Sequence, residues 1–224
     1  MLELNKIYNM DFRECINDLP KIDMVITDPP YNINYKYDVY KDNLSEEEYI
    51  DLIATLKGFP LAIIHYPEET MKYFVPALGV PSEVVVWCYN SNLPGRQSRL
   101  INFYNCSVNF SNVRQPYKNP TDKRVAKLIE NGSEGRRLYD WFSDINLVKN
   151  VSSDKLSHPC PIPIKLYERI ILLTTKENDI VVDPFAGLGN FAIACKKLNR
   201  NFIGFEISKE YCNIANERLK EEVK

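Results

Sequence analysis

The residues best suited to chemistry are Asp28, Pro29, Pro30 and Tyr31, which follow the apolar run Met24-Val25-Ile26. Two successive prolines fix φ and push each preceding residue out of the helical region. Neither proline has an N–H, so the carbonyls of Asp28 and Pro29 have no helix or ladder to join. A carboxylate, fixed carbonyls and a flat ring in one turn can accept hydrogen bonds from an amino group on a planar ring and stack on its face. Pro-Pro by itself means only a turn that closes a strand. Here an acid and an aromatic flank it at the C-terminal edge of a strand, where open α/β sheets bind ligands. The pattern favours a site.

A second stretch complements the first. Asp179 to Asp183 reads as a strand, and Asp183-Pro-Phe-Ala-Gly-Leu-Gly-Asn190 leads from it into a helix with Phe191, Ala194, Cys195 and Leu198 on its apolar face. Gly187 and Gly189 let the backbone turn sharply and approach a ligand closely. The strand Asn201 to Ile207 then brings Glu206, an acid suited to the two hydroxyls of a ribose. A third glycine at the dinucleotide spacing is missing, and so is a Gly-Lys-Ser/Thr for a triphosphate. The bound group should be a nucleoside without a phosphate chain, such as S-adenosylmethionine.

These turns need a scaffold, and the chain supplies one in alternation. Leu2 to Met10 reads as a short strand, and Phe12, Cys15, Ile16 and Leu19 as a helix that Asp11 and Glu14 start as a capping box. Asn32 to Asn43 reads as a loop over the site. Ser45 and Glu48 form a second capping box before the face Tyr49, Leu52, Ile53 and Leu56. Leu61 to His65 is a strand, Met71 to Leu78 a helix, Val84 to Cys88 a strand, Leu93 to Arg99 a loop and Ile101 to Phe110 a strand. Lys165 to Thr175 is a helix. Strand and helix alternate until two strands follow each other directly, which predicts an α/β sheet with a terminal hairpin.

Composition bounds the rest. The 224 residues, 45% hydrophobic and 26% charged, suit one substantial core. The N-terminus lacks a signal-peptide pattern, and six scattered cysteines with two histidines predict reduced thiols, no metal site and a cytoplasmic protein. The net charge is −2, yet Asn112 to Arg137 carries Arg114, Lys118, Lys123, Arg124, Lys127, Arg136 and Arg137 against three acids, a local +4. A basic stretch on an acidic body suits contact with nucleic-acid phosphates.

Asp28-Pro-Pro-Tyr31 resembles the tetrapeptide of the DNA amino methyltransferases, which methylate adenine N6 or cytosine N4. Asp183 to Asn190 resembles the Asp-Pro-Phe-x-Gly-Ser-Gly-Thr cofactor element of that family, with Leu188 and Asn190 in place of Ser and Thr. His158, Pro159 and Pro163 match part of a further His-Pro element that lines the methionine end of the cofactor. The catalytic motif precedes the cofactor motif, which is the order of the circularly permuted β class. The resemblance implies a Rossmann-like methyltransferase sheet in three parts: a catalytic half (1–111), an inserted target-recognition region (112–157) and a cofactor half (158–224).

It also implies roles. Asp28, Pro29, Pro30 and Tyr31 would be catalytic. Asp11, Asp28, His158, Asp183, Phe185, Gly187, Gly189, Asn190 and Glu206 would face S-adenosylmethionine, with Asp11 at its adenine amino group. Arg96, Arg99, Arg114, Lys118, Lys123, Arg124, Arg136 and Arg137 would face double-stranded DNA, and the target base would be flipped onto Tyr31. Asp at the head of the tetrapeptide favours adenine over cytosine by analogy. RNA or glutamine methylation and a non-catalytic DNA-binding subunit are the other readings. A homodimer and a cognate restriction endonuclease are the partners that the family brings with it, and no membrane is expected.

Overall fold

The computed structural model describes residues 2–35, 39–91, 93–148 and 161–221. In chain order these form β1 (Lys6–Tyr8), β2 (Met24–Thr27), α1 (Glu46–Ala54), β3 (Leu61–His65), α2 (Pro67–Glu69), a π-helical turn (Thr70–Phe74) and α3 (Val75–Leu78). Next come β4 (Glu83–Cys88), β5 (Ser98–Tyr104), β6 (Arg114–Gln115), α4 (Lys123–Glu130), β7 (Arg136–Arg137) and β8 (Trp141–Phe142). The chain closes with α5 (Ile164–Thr174), β9 (Ile180–Asp183), α6 (Asn190–Lys197), β10 (Asn201–Phe205) and α7 (Lys209–Glu221).

Eight strands form one sheet in the order β1-β10-β9-β2-β3-β5-β4-β8. The first five of that order run parallel, and β5 is antiparallel to both β3 and β4. All four residues of β2 and all five of β3 are buried, as expected for strands covered on both faces. Their side chains alternate between two cores. Met24 and Ile26 join Ile64, Trp87, Ile170 and Phe191 on one face, while Val25 joins Ile63, Ile53, Phe74 and Val182 on the other. Each buried aliphatic side chain contributes roughly 1.5–3 kcal/mol, so a one-residue slip of β2 would forfeit several of them.

Register is what builds the site. Val25 pairs with Val182, Gly204 with Asp183, and Tyr8 with Phe205. The ends of β2, β9, β10 and β1 therefore leave the sheet at one edge, and Asp28, Pro184–Gly187, Glu206 and Asp11 emerge together.

Several sequence expectations need correction. The helix read over Phe12 to Leu19 is two single 3₁₀ turns, Phe12–Glu14 and Ile16–Asp18. Asp11 caps the first through the N–H of Arg13, and no reciprocal bond from Glu14 completes a capping box among the described residues. The Ser45–Glu48 box does form. The helix read over Met71 to Leu78 begins earlier and passes through a π turn before Pro76. Arg99 is not in a loop: it is the second residue of β5. The β4–β5 pair is the expected hairpin, but it is not the sheet's edge, because β8 returns from the basic stretch to pair with β4. Phe142 and Ile145 there are core residues, and the Trp87 indole donates to the Ile145 carbonyl at 2.7 Å.

Gly189 sits at φ +77° at the head of α6, where a Cβ would lie 2.9 Å from Ile7 Cδ1 and 3.0 Å from Ala215 Cβ. Gly189→Ala should cost about 2 kcal/mol or more in urea unfolding, through backbone strain plus overlap. Gly58→Ala, at φ +94° with open space, should cost only about 1 kcal/mol. Equal losses would mean that the tight packing under Gly189 carries no weight.

Candidate functional site

A cleft of about 440 Å³ opens along the shared strand edge. Asp28 to Tyr31 form one wall, while Phe185, Gly187, Leu188, Asn190 and Glu206 form another, with Asp11 at one end. Asp183 and Gly189 lie beneath that second wall and are not among its described lining residues. His158 lies outside the described residues.

At the first wall, the Tyr31 hydroxyl donates to Asp28 Oδ1 at 2.7 Å, and Arg99 Nη1 lies 3.8 Å from Oδ2. Burial pushes the Asp28 carboxyl up to about 6, against the pull of Arg99 and Tyr31. The Tyr31 ring lies 4.2 Å from the His65 ring, tilted at 51°, and meets Tyr66 edge-on at 5.2 Å. The Pro30 carbonyl accepts from the Tyr49 hydroxyl at 2.5 Å. Among the described residues no donor reaches the Pro29 carbonyl, so this acceptor stays open beside Asp28.

The second wall is tied to the first from below. Asp183 Oδ1 accepts from Thr27 Oγ1 at 2.6 Å and from the Phe185 N–H at 3.0 Å, which fixes the start of the glycine turn. Asp183 is wholly buried, and its Oδ2 has no hydrogen-bond partner among the described residues. Desolvation raises its carboxyl to about 7, assisted by the negative neighbours Asp28 and Glu206. Gly187, at φ +50°, donates its N–H to Glu206 Oε2 at 2.9 Å, and Ser208 donates to Oε1 at 2.8 Å. Glu206 therefore organises the turn as well as facing the cleft. The Asn190 amide donates to the Ile162 carbonyl at 2.7 Å, and Leu188 is a buried apolar residue whose carbonyl is held by Arg218.

Asp11 lines the cleft while clamped by Arg13, which donates Nε at 3.0 Å and Nη2 at 2.5 Å. Partial burial acts to raise its carboxyl, but these hydrogen bonds hold it below the usual range.

The basic residues divide. Arg114, Lys118, Lys123, Arg124 and Arg137 are exposed, and Arg136 is half-buried, donating to the Tyr139 hydroxyl at 2.8 Å. Helix α4 buries none of its residues, and Lys118 lies 5.4 Å from the ring of the exposed Trp141. Arg96 lies 3.5 Å from Glu68 and 3.6 Å from Glu69, over the Tyr66 ring. Arg99 contradicts the expectation of a phosphate contact: it is 1% exposed, because its place in β5 turns it inward under the Asp-Pro-Pro-Tyr turn.

Three structural participants left no clear mark in the sequence. Asp42 accepts the N–H groups of Asn32, Ile33 and Tyr35 at 2.7–3.0 Å and so shapes the loop whose Ile33, Tyr35 and Val39 line the cleft. Tyr49 and His65 reach the tetrapeptide from other elements. Only the position of His65 at a strand's end pointed to it.

A parallel sheet with a glycine turn at its edge and a carboxylate-proline-tyrosine turn beside it defines the Rossmann-like fold of S-adenosylmethionine-dependent methyltransferases. A solved structure of an M1.HpyAVI–SAM complex is similar at a TM-score of 0.64 and 25% identity, covering 96% of this chain and 98% of that one. The PvuII DNA methyltransferase, described as cytosine-N4-specific, shares the fold at a TM-score of 0.66 and 16% identity, covering 96% and 90%. The type II methyltransferase M.BglII of Bacillus subtilis is 33% identical over 98% of this chain and 70% of its own length. The family model of the N6/N4 DNA methylases matches residues 62–217, and the chain belongs to that family.

Asp183 yields a stability prediction. Its folded pKa lies above the unfolded value, so its contribution is fully present below about 3.8 and is lost as pH rises through about 7. Asp183→Asn, which keeps an acceptor for Thr27 and Phe185, should raise the melting temperature by roughly 3–6 °C at pH 8, and the gap should narrow as pH falls below about 7 and close only near 3.8. An unchanged or lower melting point at pH 8 would show that the buried charge is not costly.

Proposed function

We propose that the chain transfers a methyl group to the N6 amino group of adenine in double-stranded DNA. The methyl donor is S-adenosylmethionine, which supplies an electrophilic methyl on a sulfonium. The single observation behind the reading is the cleft itself. It brings a desolvated carboxylate, an open proline carbonyl and an aromatic ring to the same cavity as a glycine turn and its partner acid.

The chain's residues fit the cofactor. Glu206 lines the cleft and is oriented there by the N–H groups of Gly187 and Ser208, and its carboxylate suits ribose hydroxyls. Buried Asp183 would serve the cofactor from below, by holding the start of the glycine turn through Thr27 and the Phe185 N–H. Phe185, with the backbone of Gly187 and Asn190, would frame the nucleoside, Gly189 would permit the turn, and Asp11 would accept from its amino group.

An exocyclic amine is a weak nucleophile because its lone pair is delocalised into the ring. Asp28 and the Pro29 carbonyl would accept its two N–H bonds and favour a pyramidal nitrogen, which localises that lone pair. The amine must first displace the Tyr31 hydroxyl from Asp28 Oδ1. A base inside a duplex cannot reach this cleft, so it must be flipped and stacked on Tyr31.

Residues 112–157 would form the recognition region between the catalytic and cofactor halves. Arg114, Lys118, Lys123, Arg124, Arg136 and Arg137 would meet phosphates and base edges there. The chain order, with the tetrapeptide after β2 and the glycine turn after β9, supports the permuted β arrangement. The type II name of the Bacillus subtilis relative supports a restriction–modification setting with a cognate endonuclease, in the cytoplasm. Methylation of cytosine N4 is the second reading, favoured by the PvuII likeness, since either base presents an exocyclic amine.

Incubation of unmethylated plasmid DNA with the protein and S-adenosylmethionine, followed by mass spectrometry of the nucleosides, should yield N6-methyladenine. N4-methylcytosine instead would overturn the base assignment. Absence of either would leave the DNA-binding subunit as the better reading. Asp28→Ala should abolish the product while calorimetric affinity for S-adenosylmethionine stays within about threefold, a change of under 1 kcal/mol. Loss of cofactor binding would mean that Asp28 serves the cofactor and not the target.

A further inference from the structure

The buried Arg99 is unused by the reaction described above, and its surroundings are unusual. Trp87 of β4 pairs with Arg99, and His65 at the end of β3 pairs with Leu100, so antiparallel β5 begins where the parallel strands end. The Arg99 side chain thus rises behind the Asp-Pro-Pro-Tyr turn. Its guanidinium carbon lies 5.2 Å from the Tyr31 and Tyr66 ring centres, 5.6 Å from Trp87 and 5.8 Å from Tyr89. Four aromatic faces and one carboxylate oxygen, 3.8 Å from Nη1, surround one cation. Leucine or methionine would fill an apolar niche without the desolvation cost of a buried charge. The charge itself is therefore the feature that needs a reason.

The groups facing Asp28 identify it. The Tyr31 hydroxyl comes from its own turn, Asp183 from β9, Tyr49 from α1 and Tyr167 from α5, while His65 of β3 packs behind them against the Tyr31 ring. Asp183 is negative or neutral. Burial raises the Tyr49 and Tyr167 phenols well above their ordinary range and keeps them neutral. Burial, with Arg99 and Arg96 nearby, lowers His65 far enough to keep it neutral as well. Its Nδ1 accepts from the Tyr66 N–H at 2.9 Å, which places the ring proton on Nε2. Among the described residues, Arg99 makes the only ion pair to Asp28.

We infer that Arg99 is a positioning residue: its buried guanidinium keeps Asp28 a carboxylate able to accept from the target amine, and holds the Tyr31 ring by cation–π contact. The inference rests on the reading of Asp28 as the acceptor for that amine. Burial pushes the Asp28 carboxyl up and Arg99 opposes it, so without the guanidinium the group would be protonated nearer neutral pH. A protonated carboxyl offers a donor where the amine needs an acceptor.

The test compares Arg99→Met, Arg99→Gln and Arg99→Lys with the parent, each checked for folding by circular dichroism. The Asp28 carboxyl carbon is followed by ¹³C NMR through a pH titration, with Asp28→Asn giving the assignment. In parallel, single-turnover transfer of tritiated methyl from S-adenosylmethionine to unmethylated plasmid DNA is measured from pH 5 to 9. The expected result for Arg99→Met and Arg99→Gln is an Asp28 titration moved upward by about one unit or more, with the acid limb of the rate profile moved equally. The rate at pH 6.5 should fall by about threefold or more and recover by pH 9, and Arg99→Lys should restore most of the limb. A folded Met or Gln variant with an unmoved titration would overturn the inference, as would a uniform rate loss with no change in profile. Collapse of all three variants would assign Arg99 to the core alone and overturn it too. A parent with no methyl transfer, yet with a titration that responds to Arg99, would instead sink the proposed function and leave the electrostatic coupling standing.

Discussion

The 2.6 Å hydrogen bond from Thr27 to Asp183 joins the two turns on which the site depends. It crosses from β2 to β9, neighbours whose register is set by Met24 with Val181 and Val25 with Val182. Because the strands are parallel, their C-terminal ends cannot drift apart without breaking both the ladder and this bond. The Asp-Pro-Pro-Tyr turn and the glycine turn are therefore parts of one rigid edge, although Asp28 and Asp183 stand 155 positions apart in the chain. Loop geometry on either side is secondary to that edge.

The same edge gathers carboxylates in a poorly hydrated place. Asp28 and Glu206 both raise the cost of ionising Asp183, and burial raises that of Asp28. A core designed for stability alone would not hold them. Folding free energy is small, on the order of 5–15 kcal/mol, so such a concentration of buried charge is tolerable only where the two apolar cores around it are extensive. Both faces of the sheet are covered, by α5, α6 and α7 on one side and α1 with the π turn on the other. Strain at the edge is carried by packing elsewhere.

Much of this was legible in the sequence because it is local. Two prolines after an apolar run, or two glycines between a strand and a helix, leave few conformations open, and Gly187 and Gly189 do adopt positive φ. The alternating order of strands and helices announced the sheet. What failed was whatever depended on distant neighbours. The capping box at Asp11 had the right residues, yet Arg13, two positions on, supplies a bidentate cation that takes the carboxylate for itself. Arg99 looked like a phosphate contact because it followed a polar loop. Only the pairing of β5 with β3 and β4 turns it inward, and no local pattern encodes that. Asp42 was invisible for the same reason, since its three partners are backbone N–H groups that any sequence would present.

The basic segment is fastened at both ends to the rigid part of the fold. Asn112 donates to the Leu172 carbonyl at 2.9 Å, and the Trp87 indole holds Ile145. With its endpoints fixed, the entropy of closing the chain between them grows only logarithmically, by about 0.6 kcal/mol for each doubling of length. Nothing in the sheet edge senses how many residues lie in between. The exposed part of this segment around α4 can thus lengthen at little thermodynamic cost, while β8, its core contacts and the cleft stay unchanged.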